Sequence, residues 1–427
     1  MKKSSEENRK KHSFFTKLGP GLITGASDDD PSGIATYAQA GAGFGLQTLW
    51  TSLLTIPMMS AIQEMCARIG LVTSKGLAAT LRKHYPPALL WLMILLTVPA
   101  ITLNIGANIQ GMGAVAHMLL PQEMRQRIPL LSPFLFSFLF TAMLLYVIIQ
   151  FPYRKLASVL KWLCLSLFLY ALVPFMLELD WQQVLKAVYT PHLDFTAEYL
   201  SILVGILGTT ISPYLFFWQA TMEAEERNHQ KNLIVDKQLI GDMGRDVNLG
   251  MIFSNLIMFF IILTAGSVLF PNGITSIQTV EQAAASLEPL VGKWAHACFA
   301  LGIIGTGLLS IPVLAGAQSY LLSEAFGWEK GLDKKFFQAI PFYVTIAASL
   351  LLGLLLDYFG VSPVRALIVT AILYGLTAPV LIGMILHIGN NMRIMGEFTN
   401  SRLSNFLGLL TLLMMSAAAV ALLWIYL

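Results

Sequence analysis

The stretch GPGLITGASDDDPSGIATYAQAGAGFG, residues 19–45, decides the fold. Its flanks read as a single membrane-spanning helix, but its centre holds three consecutive acids and a proline. Asp28, Asp29, Asp30, Pro31, Ser32 and Gly33 follow Lys17 by 11 to 16 residues, and at 1.5 Å per residue that is ~16–24 Å of helix, near the middle of a bilayer. Proline removes a backbone donor and pushes the residue before it out of helical angles, so the helix is predicted to unwind here. Backbone groups freed at membrane depth are tolerated only where they line a cavity or bind something. A second run, GILGTTISPYLFFWQA (205–220), places Thr209, Thr210, Ser212 and Pro213 at a comparable depth after Glu198.

Outward from these breaks, the chain is long, apolar and poor in charge. Of its 427 residues 56% are hydrophobic and 12% charged, where a soluble domain carries ~25% charged residues. A soluble enzyme is therefore excluded, and apolar runs of ~20 residues exclude a β-barrel of short alternating strands. Eleven spans are expected, at about 19–40, 46–67, 88–120, 131–150, 156–178, 198–222, 248–270, 294–324, 336–357, 363–388 and 404–427. The basic first 18 residues form a tail rather than a signal peptide. Among the 27 Lys and Arg, only Arg125, Arg127, Lys186, Lys293 and Arg365 fall on the side opposite that tail. By the positive-inside rule the protein is a multi-pass cell-membrane protein with a cytoplasmic N-terminus. Cys66, Cys164 and Cys298 lie far apart in apolar runs, with neither zinc spacing nor a disulfide framework.

The first break opens one set of five spans and the sixth span opens another. Paired broken helices in corresponding halves mark a transporter's midplane substrate site. This predicts an all-α five-plus-five inverted-repeat fold, with repeat one at about 19–178, repeat two at about 198–388 and an extra helix at about 404–427. Capping is the plainer account of Asp30-Pro31, with Asp accepting from orphan amides and Pro in the first helical turn. Capping needs one acid, however, and a charge at the centre of a membrane helix costs roughly 2.5–3.5 kcal/mol. Hydroxyls at Thr209, Thr210 and Ser212 could likewise bond back to their own helix. Carboxylates, hydroxyls and freed carbonyls, without thiolate or imidazole, make a hard oxygen site, so the substrate read from the residues is a small cation. His117, His296 and His387 lie near span ends, where packing explains them.

Five stretches then carry a resemblance: GPGLITGASDDDPSGIAT (19–36), CARIGLVTSKGL (66–77), VGILGTTISPY (204–214), FALGIIGTGLLSIPVLAGAQ (299–318) and RIMGEFTN (393–400). Over nearly its whole length the chain resembles the Nramp family of divalent-metal transporters. The resemblance implies the fold shared with amino-acid and sodium-coupled transporters, and alternating access around helices one and six. It also implies a metal site at Asp30, Gly33, the Thr209 carbonyl and Ser212, with Asp28 and Asp29 as extra acids beside it. The family usually carries Asp-Pro-Gly-Asn and Met-Pro-His at the two breaks. Here Gly33 stands for the Asn, Ser212 for the Met and Tyr214 for the His, while Asn108 stands where a Glu is expected. Losing the thioether removes a preference for soft metals, and Gly33 is expected to make room for a partly hydrated ion. Asn108 and Tyr214 replace the titratable groups of the family's proton pathway. These departures resemble the divergent branch that carries Mg²⁺. The expected function is import of Mg²⁺ and Mn²⁺ with weak or no proton coupling, by a monomer in the lipid bilayer, with no cofactor and no nucleic acid. The alternative is a proton-coupled Mn²⁺/Fe²⁺ importer of the ordinary type.

Overall fold

A computed structural model describes residues 20–128, 130–151, 168–229, 234–357 and 362–426. The tail read at 1–18 and most of the fifth span lie outside the described residues. The first span is two half-helices, α1 (Pro20–Asp28) and α2 (Pro31–Phe44). There follow α3 (Trp50–Thr73), a short α4 (Leu77–His84), α5 (Pro87–Met118), α6 (Pro133–Gln150) and α7 (Phe168–Met176). The sixth span is again two half-helices, α8 (Ala197–Thr210) and α9 (Pro213–His229). The remaining spans are α10 (Lys237–Val268), α11 (Ala295–Phe326), α12 (Ile340–Asp357), α13 (Pro363–Gly389) and α14 (Arg402–Tyr426).

Both breaks fall where proline demanded them. Pro31 and Pro213 each sit at the first position of the second half-helix, where a missing N–H is no loss. Helix ends differ from the expected ones where charge continues a helix beyond the apolar window. The sixth span runs on to His229, and the seventh begins at Lys237 rather than near 248, because charged residues propagate helix well and only the apolar part was legible as a span. Along α3, Gln63, Glu64 and Arg68 interrupt the apolar run, and Arg68 is paired with Asn400 (3.0 Å).

The packing exchanges the two halves of the molecule. α2 lies along α10 as α9 lies along α3, while α3 meets α10 and α5 meets α11 across the centre. α12, α13 and α6 close around α5, and α14 covers α13 and α8. Lipid offers no hydrophobic drive for helices to associate, so they hold by close contact. A Cβ added at Gly25 of α1 would lie 2.2 Å from the carbonyl oxygen of Gly250 in α10. One at Gly208 of α8 would lie 2.2 Å from the backbone of Ala371 and Gly375 in α13. Backbone cannot yield as a side chain can. Gly208→Val is therefore expected to lower thermal stability in detergent by at least the ~1–3 kcal/mol of an overpacked core. Gly383→Ala, which meets nothing within 4 Å, should change it by less than ~0.5 kcal/mol. Equal melting temperatures for the two variants would contradict this packing.

Candidate cation site

The break between α1 and α2 turns all three acids inward: Asp28 is 0% exposed, Asp29 and Asp30 1% each. Asp30 does cap α2. Its Oδ1 accepts from the Gly33 N–H (2.9 Å) and the Ser32 hydroxyl (2.6 Å). Its Oδ2 accepts from the side-chain amides of Asn104 (2.8 Å) and Asn108 (3.0 Å), one turn apart on α5. Asp28 and Asp29 lean instead on α10, where the Ser254 hydroxyl reaches Asp28 Oδ2 (2.6 Å) and Asp29 Oδ1 (3.2 Å). Asp28 Oδ1, Asp29 Oδ2 and Asn108 Oδ1 are buried and have no partner. Among the described residues no Lys, Arg or His comes within ion-pairing distance of the three acids. Nor do any three carboxylate, imidazole or thiol side chains converge as a metal cluster. The oxygens available are thus a mixture of carboxylate, hydroxyl, amide and carbonyl, spread over α1, α2, α5, α8 and α10.

The second break supplies neutral oxygen. Ser212 directs its hydroxyl back to the Thr209 carbonyl, so the two groups expected to serve the ion already touch each other. Thr210 is bonded to Tyr37 (3.0 Å) and to the Met258 sulfur (3.5 Å). Gly33 was expected to open space, and here the structure corrects the reading. A Cβ on Gly33 would stand 3.3 Å from Thr209 Oγ1 and 3.4 Å from the Tyr37 ring. In this conformation the missing side chain lets the two breaks approach each other rather than leaving room. A crevice lined by Ala35, Gly111, Val115, Phe299, Ile303 and Leu367 lies beyond α2 and is apolar throughout, so no polar route reaches the acids through it.

Tyr214 and Asn108 are both inside the site. Tyr214, on the first turn of α9, donates to the carbonyl of Ser27 on α1 (2.9 Å), and Asn108 holds Asp30. Asn104, Ser254 and Gln219 went unread. Asn104 stood one helical turn before Asn108 in the stretch TLNIGANIQG, a pair of amides on one face. Ser254 and Asn255 were a polar pair deep in an apolar span, a signal that could have been followed.

The half-helices α1 and α9 are fastened at different points. Arg227 ties the end of α9 to the carbonyls of Leu71 and Val72 at the end of α3 (2.5 and 2.6 Å). Glu324 of α11 accepts from the Ala79 N–H of α4 (2.9 Å) and from Lys330, so the surroundings of α9 are pinned as well. α1 is held to its neighbours by four polar bonds. These are Gly21 N–H to Asp246 (2.7 Å), Thr24 to Gln219 (2.5 Å), Tyr214 to Ser27 (2.9 Å) and Ser254 to Asp28 (2.6 Å).

Two broken helices, back to back around buried oxygens and sealed on both sides, define a membrane transporter for a cation. The family model described as natural resistance-associated macrophage protein-like, Nramp, matches residues 21–425. The chain belongs to this family of divalent metal cation transporters, not to any class of enzyme. It is 24% identical over 390 residues to the divalent metal cation transporter MntH of Klebsiella pneumoniae, covering 90% of this chain and 88% of the relative. Its fold is similar to that of the Eremococcus coleocola manganese transporter (TM-score 0.74, 18% identity, 96% of this chain and 87% of that one). It is also similar to MhsT in complex with L-phenylalanine (TM-score 0.60, 15% identity, 96% and 98% covered).

Tyr214→Phe removes one of the four ties that hold α1, a net ~1 kcal/mol, and should favour opening at α1 about fivefold. The check is the labelling rate of A26C by an impermeant maleimide, with Cys66, Cys164 and Cys298 replaced. An unchanged rate would show that Tyr214 does not hold α1.

Proposed function

We propose that this chain imports Mg²⁺, and with it Mn²⁺, by alternating access and with little or no coupling to protons. Along its path the ion meets oxygens of Asp30, Asp28, Asp29, the Thr209 carbonyl and the Ser212 hydroxyl, with Gly33 at the junction of the two breaks. The observation that carries this reading is that Asp30 is surrounded by neutral amides, Asn104 and Asn108, where proton coupling would need a titratable partner. An amide does not titrate, and the phenol of Tyr214 ordinarily does so only near 10. Replacement of a thioether by Ser212 supports the choice of metal, because hard oxygen donors do not favour Mn²⁺ or Cd²⁺ over Mg²⁺ as sulfur does. Mg²⁺ gives up its waters reluctantly, and a site where no three acidic side chains converge leaves it some of them. The chain would act as a monomer with its N-terminus in the cytoplasm, its two repeats spanning about 19–178 and 198–388, and would represent a Mg²⁺-carrying branch of the family.

Alternation follows from the fastening described above. With α1 closed the acids are sealed; with α1 released from Asp246, Gln219, Tyr214 and Ser254 they face the side on which the chain begins. Access from the other side requires α2 and α8 to part from α10 and α13.

Uptake of Mn²⁺ into proteoliposomes holding a pH-sensitive dye tests the reading. Millimolar Mg²⁺ should suppress the uptake, and the lumen should not acidify as metal enters. Ser212→Met should raise preference for Mn²⁺ and Cd²⁺ over Mg²⁺ by about tenfold, or ~1.4 kcal/mol. Mn²⁺ uptake indifferent to Mg²⁺ and accompanied by acidification would establish the ordinary proton-coupled importer instead.

A further inference from the structure

Asp30 and the pair Asp28 and Asp29 face different helices, and their oxygens are used differently. The Asp30 carboxylate accepts four hydrogen bonds, from Gly33, Ser32, Asn104 and Asn108. That is as many as its lone-pair positions allow. On the other side of the break one hydroxyl proton, that of Ser254, is shared between Asp28 Oδ2 and Asp29 Oδ1. The second oxygen of each, Asp28 Oδ1 and Asp29 Oδ2, is shut away from water with no donor at all. A buried carboxylate oxygen without a partner is strongly unfavourable, and two side by side more so. The three acids do not meet at one point, since no cluster of three such side chains forms among the described residues.

We propose that Asp28, Asp29 and Ser254 form a divalent-cation position of their own, distinct from the position at Asp30, and that the ion rests there while Asn104 and Asn108 hold Asp30. This rests on the reading of the break as a cation site, and goes beyond it in separating two stations and in assigning Ser254 to the first. The donors at this station are two carboxylates and one hydroxyl, all hard, and they leave room in an octahedral shell for retained water, which suits Mg²⁺ or Mn²⁺. Passage to the second station requires Asn104 and Asn108 to give up Asp30. Asn108 Oδ1, itself buried and without a partner, is the neutral oxygen that awaits the ion there.

The test is calorimetric titration of the purified full-length protein with Mn²⁺ and, separately, with Mg²⁺, alongside liposome uptake. The variants are Asp30→Asn, the double variant Asp28→Asn with Asp29→Asn, and Ser254→Ala. A melting curve without metal confirms that each is folded, and the single Asp28→Asn and Asp29→Asn variants stand in should the double one fail to fold. Asp30→Asn should bind Mn²⁺ within about threefold of the parent yet carry none across the membrane. The Asp28/Asp29 variants should bind at least about tenfold more weakly, and Ser254→Ala several-fold more weakly. Binding abolished by Asp30→Asn and untouched at the pair would overturn the proposal, as would equal loss in both, which signifies one shared position. Binding of Mn²⁺ without Mg²⁺ would refute the Mg²⁺ reading alone, and the Mn²⁺ comparison would still decide this one. No binding of either ion would refute both.

Discussion

A helix that breaks inside a bilayer must find partners for every polar group it frees, and the rest of this molecule is arranged around that need. Unpaired N–H and C=O groups have no water to turn to at that depth. At the first break the solution comes from three neighbours at once. Asp30 caps the second half-helix from within, α5 supplies two amides to the same carboxylate, and Tyr214 reaches across from α9 to the Ser27 carbonyl. The second break is satisfied more locally, Ser212 bonding back to Thr209 and Ile211 N–H to Leu207. The two breaks are also tied to each other, by Tyr214 on Ser27 and by Tyr37 on Thr210.

On the proposed reading, these cross-break bonds are also what lets the site move. Groups that are paired by long-range side-chain bonds can exchange partners, whereas those in a continuous helix cannot. α1 touches α10 through glycine and is otherwise held by single hydrogen bonds, each worth ~0.5–1.5 kcal/mol net. A handful of such bonds is on the scale that a ligand's differential affinity can shift. α9 is pinned at its far end through Arg227, and on the same reading it is the fixed surface for that movement.

The architecture was legible because its cause is local: proline and consecutive acids inside apolar runs announce the breaks, and run length announces the spans. The depth of Asp28 to Asp30 followed from helical rise alone. What sequence could not supply was the direction each carboxylate takes. Consecutive residues outside a helix point different ways, and only tertiary packing sends Asp30 to α5 and its two predecessors to α10. Gly33 illustrates the same limit. Absence of a side chain was read as room, yet small residues in membrane proteins mark close approach as often as cavity, and here Thr209 moved in. Ends of helices such as α10 were misplaced because hydropathy stops at the membrane surface and helix propensity does not.

The arrangement around Asp30 bears on what drives transport. A carboxylate saturated by neutral donors admits a cation only by exchanging those donors for it, so binding and the release of α5 become one event. On the proposed reading the partners that hold Asp30 are amides, a hydroxyl and a backbone N–H, none of which gives up a proton near neutral pH, and the work comes from the ion's own gradient and the membrane potential. Moving one charge through 100 mV yields ~2.3 kcal/mol, so a divalent ion gains ~4.6 kcal/mol, roughly a thousandfold in accumulation. A thousandfold is ample for an ion abundant on both sides of a membrane, but small for a scarce metal that must be scavenged. On the proposed reading, a site with Ser212 in place of a thioether and with amides on Asp30 thus suits an abundant hard cation on energetic grounds as well as on ligand chemistry.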